Sequence, residues 1–326
     1  MKAIVYNNYG SSDKLELREV AKPVPKNNEV LIKVQASSIN SWDWDMLTGR
    51  PFLVRMLSGL LKPKHKILGA DVAGIVEAVG TDVTQFSVGD EVFGDIAGSG
   101  FGAFAEYATA NEAYLAKKSP RITFEQAAAL PQAGLLAIQG LRHQKPLQKQ
   151  QHLLINGAGG GVGPIALQYA KYLGAEVTCV DKEEKFAVLR SLGADHLINY
   201  QKENYTKTGR QYDYILDVIA HHTVSDYKRA LKPGGVFAMV GGSMGWLLFH
   251  MMLVQPLLSK YRTKKLGIMG YRVTREGLEE LNTICENKII SPVIDTLFSL
   301  EETPAAFRYF ENGMFQGKIV IKIDAG

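Results

Sequence analysis

A run of glycines near the middle of this 326-residue chain has the residue types and spacing needed to hold a diphosphate. Residues 155–163 read INGAGGGVG, with five glycines in nine positions. Glycine loses more conformational entropy on folding than any other residue, so such a run indicates that a bare backbone is needed there. A glycine turn between a strand and a helix lets a pyrophosphate reach the N–H groups at the positive end of the helix.

The context of these glycines predicts a dinucleotide-binding loop. Ala158, Gly160 and Gly163 align with the three glycines of the G-x-G-x-x-G fingerprint, with alanine in the first place. The apolar segment HLLIN precedes the turn, and the helical segment GPIALQYAKYLG follows it. The residues of this loop that are predicted to bind the cofactor are Ala158, Gly160, Gly161, Val162 and Gly163.

An acidic residue at the end of the next predicted strand bears on the choice of cofactor. Asp181 lies 18 residues beyond Gly163, where a carboxylate accepts hydrogen bonds from the ribose of NADH and repels the phosphate of NADPH. Lys182 and Lys185 follow and could bind that phosphate, so the cofactor could be NADPH or NADH. A third interpretation is that Asp181 caps the following helix, KEEKFAVLRSLG.

Two other motifs suggest chemistry that the rest of the chain does not complete. GGSMG at residues 241–245 fits the nucleophile-elbow pattern, but no acidic residue separates Ser243 from the last histidine, His250, as the triad order requires. Tyr261 and Lys265 have the Y-x-x-x-K spacing of short-chain dehydrogenases. Those enzymes begin at their glycine loop, whereas a β-rich segment precedes it here, so we interpret this spacing as chance.

The elements that must position these residues show two different sequence patterns. Up to about residue 120, alternating and β-branched segments broken by glycine predict strands. A Thr-x-x-Gln start then predicts a helix over TFEQAAALPQAGLLAIQGL, and strands alternate with helices as far as VFAMVGG. This alternation predicts a parallel, doubly wound Rossmann sheet. The tail, with an amphipathic helix and the closing strand GKIVIKI, is predicted to return to the first domain.

Composition restricts the partners and the compartment. The net charge of +4 is spread along the chain, without the basic clusters and interleaved aromatic residues of a nucleic-acid groove, so no nucleic acid partner is predicted. Two distant cysteines, Cys179 and Cys285, and a start without signal-peptide features predict a cytoplasmic location.

One long apolar run, MGWLLFHMMLVQPLLS at residues 244–259, raises the question of a membrane. As a helix it would cover about 24 Å, short of the roughly 30 Å hydrocarbon core, so no membrane span is predicted. We expect a buried or subunit-facing helix. A lid over a substrate cleft and contact with a membrane surface are the alternatives.

Several segments together resemble one family. SSINSWDWDMLTGR, ILGADVAGIVEAVG, VGDEVFG, AAALPQAGLLAI and LRSLGADHLINY occur in family order around the GAGGGVG loop. The chain resembles the zinc-free quinone oxidoreductase branch of the medium-chain dehydrogenase/reductase superfamily over essentially its whole length. The resemblance implies an α/β fold with a GroES-like β-rich catalytic domain, residues 1–122 and 272–326, plus a Rossmann doubly wound parallel-sheet domain, residues 123–271.

The zinc branch of that superfamily carries its metal on residues that this chain lacks. Its catalytic histidine stands in a Gly-His-Glu motif, where the matching residues here are Gly69, Ala70 and Asp71. No cysteine precedes Cys179, so the thiolate ligands of a tetrahedral zinc site are missing. We therefore expect no zinc, and reduction of conjugated carbonyls rather than alcohol oxidation.

The resemblance also implies residues at the reacting end of the cleft. Asn40 matches the branch's asparagine near nicotinamide and substrate, and Asp43 matches an acidic residue that could instead anchor the loop by capping a helix. Neighbouring apolar residues could form a flat substrate wall or belong to the core; these are Trp42, Trp44, Phe52, Leu53 and Met56. The insert RPFLVRMLSGLLKPKHK at residues 50–66 is expected to contribute to the substrate wall or to a lid.

Further cofactor contacts are implied by family position alone. Lys185 and Tyr200 match residues that hold the NADPH phosphate, although a third basic position is Gly313 here, and Leu136 replaces a family threonine. The other matches are Ile219, Gly241, Gly242, Ser243 and Lys318.

These inferences predict a zinc-independent NAD(P)H oxidoreductase acting on a small apolar quinone or α,β-unsaturated carbonyl. A homodimer joined at the sheet edge near KKLGIMGYRV is expected. A nicotinamide-binding structural or sensor protein without turnover, and a zinc-type alcohol dehydrogenase, are the alternatives, since a fold alone does not prove chemistry.

Overall fold

The computed structural model describes residues 1–242 and 265–323. Its α-helices, in chain order, are α1 Ser41–Thr48, α2 Phe52–Ser58, α3 Phe124–Ala128, α4 Pro131–Leu141, α5 Val162–Tyr172, α6 Phe186–Ser191, α7 Val224–Ala230, α8 Arg275–Glu286 and α9 Thr303–Asn312. Its strands are β1 Lys2–Val5, β2 Glu16–Glu19, β3 Glu29–Ser38, β4 Asp71–Val79, β5 Glu91–Asp95, β6 Tyr107–Asn111, β7 Leu115–Lys117, β8 His152–Asn156, β9 Glu176–Asp181, β10 His196–Asn199, β11 Tyr212–Asp217, β12 Leu231–Met239, β13 Lys265–Ile268, β14 Ile294–Ser299 and β15 Lys318–Lys322.

The chain forms two compact units. The first comprises Met1–Leu135, Val273–Lys288 and Pro292–Gly326, and the second comprises Leu136–Arg272 and Ile289–Ser291. Helix α3 contacts β3 and β4, which accounts for the inclusion of residues 123–135 in the first unit. The boundary between the units thus falls within α4, beyond the residue 122 limit drawn from sequence, and the domain limits themselves stay a prediction.

The second unit contains the predicted parallel sheet. Its described strands lie in the order β10-β9-β8-β11-β12-β13, and all neighbouring pairs are parallel. This order reverses between β8 and β11, which is the point where open α/β sheets bind ligands at the carboxyl ends of their strands. The strands are short apolar runs because helices cover both faces of such sheets, and Leu154, Ile215 and Phe237 are fully buried.

The first unit is built on a mainly antiparallel sheet. Its strands follow the order β14-β15-β3-β4-β5-β7, with β6 also paired to β3. A large apolar core covers it, and the T-shaped contact of Phe104 with Phe307, 5.8 Å between ring centroids, joins a loop to α9 within that core. The tail therefore returns to the first unit, as predicted from its closing strand.

One helix prediction needs correction. TFEQAAALPQAGLLAIQGL was predicted as a single helix, but the structure has two, α3 and α4. The Thr123 and Gln126 side chains form the predicted capping box at the start of α3. The break occurs before Pro131 because proline disfavours the helical conformation of the preceding residue, and proline is well tolerated as the first residue of α4.

No helix within residues 1–242 and 265–323 is both long and apolar enough to cross a bilayer. The apolar run at residues 244–259, Ser243 and Tyr261 lie outside the described residues, so the expectations for them stay predictions.

Candidate active site

Strand register collects polar residues at one end of the sheet in the first unit. Ser38 at the end of β3 pairs with Asp71 at the start of β4, and Asp71 pairs with Asp95 at the end of β5. On the other side of β3, Val320 of β15 pairs with Ser38, which places Lys318 beside the residues that follow β3. Antiparallel pairing thus gathers side chains that are far apart in sequence.

Asn40 lies at the centre of this group, and both ends of its carboxamide are occupied. Its Nδ2 donates to Asp71 Oδ2 at 2.9 Å, and Lys318 Nζ donates to its Oδ1. Lys318 Nζ also lies 3.3 Å from Asp71 Oδ2. All three side chains are buried, and Asp71 is fully so. We call Asn40, Asp71 and Lys318 the Asn40 triad; it fixes which way the amide faces.

The Asp43 carboxyl accepts two backbone N–H groups next to the triad. Its Oδ2 accepts from Asn40 N at 3.0 Å and its Oδ1 accepts from Gly69 N at 3.0 Å. Burial raises the pKa of Asp43 to about 7, against the lowering effect of these two backbone donors. The carboxyl is fully buried. It therefore ties the start of α1 to the loop before β4, the anchoring interpretation that the sequence left open, and a catalytic role for it stays untested.

Sequence reasoning missed most of the partners that hold Asp71. Besides the triad, Ser38 Oγ donates to Asp71 Oδ2 at 2.9 Å and Gln132 N donates to its Oδ1 at 3.0 Å. Gln132 Nε2 reaches Asp95 at 3.4 Å. The available signal was polar residues at the ends of otherwise apolar strands, since buried polar groups need hydrogen-bond partners.

The residues proposed for a substrate wall separate into two groups. Trp44 is half-buried and packs against Phe307 and Phe310 at ring-centroid distances of 6.3 and 6.2 Å, so it is largely core. Phe52, Leu53 and Met56 of α2 are more than half exposed, and Trp42 is 36% exposed.

In the second unit, the glycine loop lies at the carboxyl end of β8 and leads into α5. Gly157 has a φ of +80°, and a Cβ there would come within 2.9 Å of Ile219. At Gly163 a Cβ would lie 2.1 Å from the backbone oxygen of Ala158, so only glycine allows this approach. At Gly160 the nearest atom would be 3.7 Å away, which leaves open space above the backbone. Such a turn fits a diphosphate, because the first N–H groups of α5 lack acceptors within the helix.

Asp181 is tied to this loop rather than to the helix that follows it. Its Oδ2 accepts from Gly159 N at 2.7 Å, and its Oδ1 accepts from Lys182 N at 2.9 Å and lies 3.9 Å from Lys185 Nζ. Asp181 and Lys185 are both buried. The helix-capping interpretation is wrong, because neither the short 3₁₀ turn at Glu183–Lys185 nor α6 has a side-chain cap.

A second buried carboxyl organises the sheet where the strand order reverses. Asp217, at the end of β11, accepts from Asn156 Nδ2 at 2.8 Å and from Ile219 N at 3.1 Å. Tyr205 donates to its other oxygen at 3.3 Å. Burial raises the pKa of Asp217 above its usual range. Asp217 was not predicted; its signal was an acidic residue closing the apolar strand YDYILD.

The remaining predicted cofactor residues lie near the same ends of the strands. Ile219 is 60% exposed just after β11. Gly241 accepts from Ala220 N at 3.0 Å, and Gly242 has a φ of +146°. Tyr200 follows β10 and is exposed, whereas Lys318 belongs to the first unit.

The positions that match the zinc motif do not fit a metal ion. Ala70 offers no ligand, and the Asp71 carboxylate is occupied by an ammonium, an amide, a hydroxyl and a backbone N–H. Within the described part of the chain, no group of three or more His, Cys, Asp and Glu side chains is arranged to bind a metal.

Comparison with known proteins identifies the family. A model described as alcohol dehydrogenase GroES-like domain matches residues 26–120, and one described as zinc-binding dehydrogenase matches residues 192–321. The chain is 33% identical to 2-methylene-furan-3-one reductase of Solanum lycopersicum, over 98% of this chain and 79% of the relative. Identity to the NADPH-dependent alkenal/one oxidoreductase, chloroplastic, of Arabidopsis thaliana is also 33%, with the same coverage. The quinone oxidoreductase of Coxiella burnetii superposes with a TM-score of 0.88 at 28% identity, covering 99% of both chains. The chain therefore belongs to the medium-chain dehydrogenase/reductase superfamily, with the GroES-like and Rossmann folds that the sequence predicted.

Proposed function

We propose that the protein is a zinc-independent, NAD(P)H-dependent oxidoreductase that reduces quinones or α,β-unsaturated carbonyls. The observation that carries the proposal is the Asn40 triad, a buried carboxamide oriented by an ammonium and a carboxylate. The similarity to an alkenal/one oxidoreductase, a 2-methylene-furan-3-one reductase and a quinone oxidoreductase supports this substrate class.

The glycine loop and the turns after β11 and β12 would hold the dinucleotide. The N–H groups at the start of α5 bind its diphosphate, with Gly160 leaving room for close approach. Asp181, Lys185 and Tyr200 would then lie near the ribose group that is a hydroxyl in NADH and carries a phosphate in NADPH. When bound, the nicotinamide supplies a hydride to the conjugated position of the substrate.

Asn40 stabilises the negative charge that reduction places on the substrate oxygen. Its Nδ2 uses one hydrogen for Asp71 and retains a second for that oxygen. Lys318 donates to the amide oxygen and so polarises the amide, which strengthens its N–H groups as donors. A fixed donor in a water-poor site stabilises a developing oxyanion without reorganising during the reaction.

A buried ammonium supports the metal-free part of this proposal. Lys318 is held at the carboxylate of Asp71, in the motif where the zinc branch places its ligand. Paired with Asp71, this ammonium acts through the Asn40 amide to which it donates, and we assign to that polarised amide the part that a metal ion plays in the zinc branch. We propose on this basis that activity survives dialysis against a chelator.

The test is steady-state turnover of quinones and enones with NADPH and with NADH, before and after chelation. Asn40→Ala is expected to lower kcat about a hundredfold, the effect of removing one oxyanion donor, while KM for the cofactor stays unchanged. Turnover at the uncatalysed rate with every substrate and both cofactors would overturn the proposal.

Asn40→Ser separates donation from a structural effect. Serine is as good a helix cap as asparagine, and its hydroxyl oxygen can accept from Lys318, but its single O–H is used by Asp71, so no donor remains for the substrate. It should therefore be as slow as Asn40→Ala. Full activity of Asn40→Ser would remove Asn40 from the proposed role.

We also propose a homodimer in a reducing compartment such as the cytoplasm. Strand β13 is the outermost strand of the described parallel sheet and offers an edge for pairing. Cys179 and Cys285 are both buried and without a disulfide. A monomeric molar mass by light scattering would contradict the dimer.

A further inference from the structure

The segment around α2 exposes an unusual concentration of apolar side chains. Phe52, Leu53, Met56, Leu60 and Leu61 are between 56 and 88% exposed, within ten consecutive residues. Elsewhere in the described chain, large exposed apolar residues are mostly scattered, which is normal for protein surfaces. We call these five side chains the α2 surface.

This surface is held in place by the opposite side of the helix. Val54 and Ser58, one turn apart on α2, are buried, and Ser58 Oγ lies 2.9 Å from Tyr9 OH. Arg55 donates to Gly49 O at 3.1 Å and stacks over the Tyr9 ring at 4.8 Å. Met56 lies four residues after Phe52 and three after Leu53, so its side chain is next to both on the outward side of the helix.

The loop after α2 is equally well defined. Lys64 N donates to Ser58 O at 2.6 Å, which closes a tight turn that presents Leu60 and Leu61. A Cβ at Gly59 would lie 2.2 Å from the Lys62 backbone oxygen. Leu60 and Leu61 are therefore exposed within a hydrogen-bonded loop.

The charges around the α2 surface have one sign. From Met46 to Ala70 the sequence contains no aspartate or glutamate. The same stretch carries five basic residues, of which all but Arg55 are exposed: Arg50, Arg55, Lys62, Lys64 and Lys66. Apolar side chains beside lysine and arginine match a layer of hydrocarbon beneath anionic head groups.

We propose that the α2 surface docks the protein on a membrane surface that contains anionic lipids. The leucines, the methionine and the phenylalanine enter the boundary between head groups and acyl chains, while the lysines and arginines contact the phosphates. A lid over an uncharged quinone or enone would have no use for these cations. A soluble polyanion would gain nothing from the leucines.

Vesicle co-sedimentation of the full chain tests this proposal. The probes are vesicles of phosphatidylcholine alone and of phosphatidylcholine mixed with phosphatidylglycerol. The wild type is expected to bind the anionic vesicles at least about tenfold more tightly, with a loss of binding at high salt. Failure to sediment with anionic vesicles at low salt would overturn the proposal.

Two double variants separate the apolar from the charged contribution. Leu60→Ser with Leu61→Ser, and Lys62→Glu with Lys64→Glu, should each weaken binding about tenfold or more. The matched controls are Val24→Ser with Val88→Ser, 84 and 66% exposed in the wild type, and Lys145→Glu with Lys149→Glu. Both controls should bind like the wild type.

Other occupants of the α2 surface give different results. If the leucine variant raises KM for the quinone while vesicle binding is unchanged, the surface serves substrate entry and the proposal is wrong. If vesicle binding depends on the lysines and not on the leucines, the attachment is electrostatic alone, the apolar side chains do not enter the lipid, and the proposal is again wrong. Vesicle binding does not require turnover, so its outcome is independent of the proposed reaction.

Discussion

Buried charges at single residues hold the key side chains in each of the two units. Asn40 is held between the ammonium of Lys318 and the carboxylate of Asp71, and Asp181 is held between the Gly159 N–H and Lys185. In each case a carboxylate is stabilised by a cation and by donors, as a buried charge requires.

The contacts of Asp181 predict two separable effects on cofactor binding. Asp181→Ala removes the acceptor for Gly159 N and should weaken both NADH and NADPH, because the loop loses its tether. Asp181→Asn keeps an acceptor but removes the charge, so NADPH should gain about tenfold over NADH, the size of one partly hydrated charge interaction. Fluorescence titration with both cofactors measures this.

Equal changes in the affinities for the two cofactors would give Asp181 a different role. If Asp181→Asn changes the affinity for NADH and NADPH by the same factor, the carboxylate does not face the ribose, and it acts only as the tether of the glycine loop.

At the level of elements, the Asn40 triad of the first unit and the glycine loop of the second unit each depend on where strands end. The Asn40 triad arises because β3, β4 and β15 pair in a fixed antiparallel register, and the glycine loop arises where β8 gives way to α5. Register is strongly specified in a sheet with a buried face, since a shift by one residue would reverse every side chain.

Two glycines of the loop should respond differently to the same added methyl group. Gly163→Ala places a Cβ against the Ala158 backbone, so it should lower the thermal unfolding midpoint as well as cofactor affinity. Gly160→Ala meets no atom closer than 3.7 Å and should keep the unfolding midpoint, but it should weaken cofactor binding by filling the approach to the backbone. Calorimetry with cofactor titration distinguishes them. Unchanged affinity in Gly160→Ala would place the diphosphate elsewhere.

For the whole molecule, a buried acid links stability to pH. The pKa of Asp43 is raised from its usual 3.8 to about 7, so the folded state holds this proton more tightly than the unfolded chain. The contribution of this pKa shift to the free energy of unfolding is fully present below about pH 4 and is lost as pH rises through about 7.

Asp43→Asn should remove this pH dependence and also lower the free energy of unfolding. The amide can accept only one of the two N–H groups that Asp43 accepts, so the variant should be about 1–3 kcal/mol less stable at low pH. The difference from wild type should narrow as pH rises from 4 to above 7. Denaturant unfolding at a series of pH values checks this, and a constant difference would show that Asp43 titrates normally.

Patterns that depend on neighbouring residues were predictable from the sequence. The glycine turn between β8 and α5 and the alternation of strands and helices were predicted correctly, because helix and strand periods and the missing glycine side chain act locally. The break at Pro131 was missed because alanine and leucine on both sides of it favour helix.

The sequence by itself determined the fold, the glycine turn between β8 and α5 and, through its ordered motifs, the identity of the family. Only the tertiary structure decided that Asn40 is oriented by Asp71 and Lys318, which are 31 and 278 residues away, that Asp181 tethers Gly159, and that α2 turns its apolar face outward. The physical reason is that register and packing bring distant residues together, and the charge, burial and exposure of a side chain depend on those neighbours and not on its position in the chain.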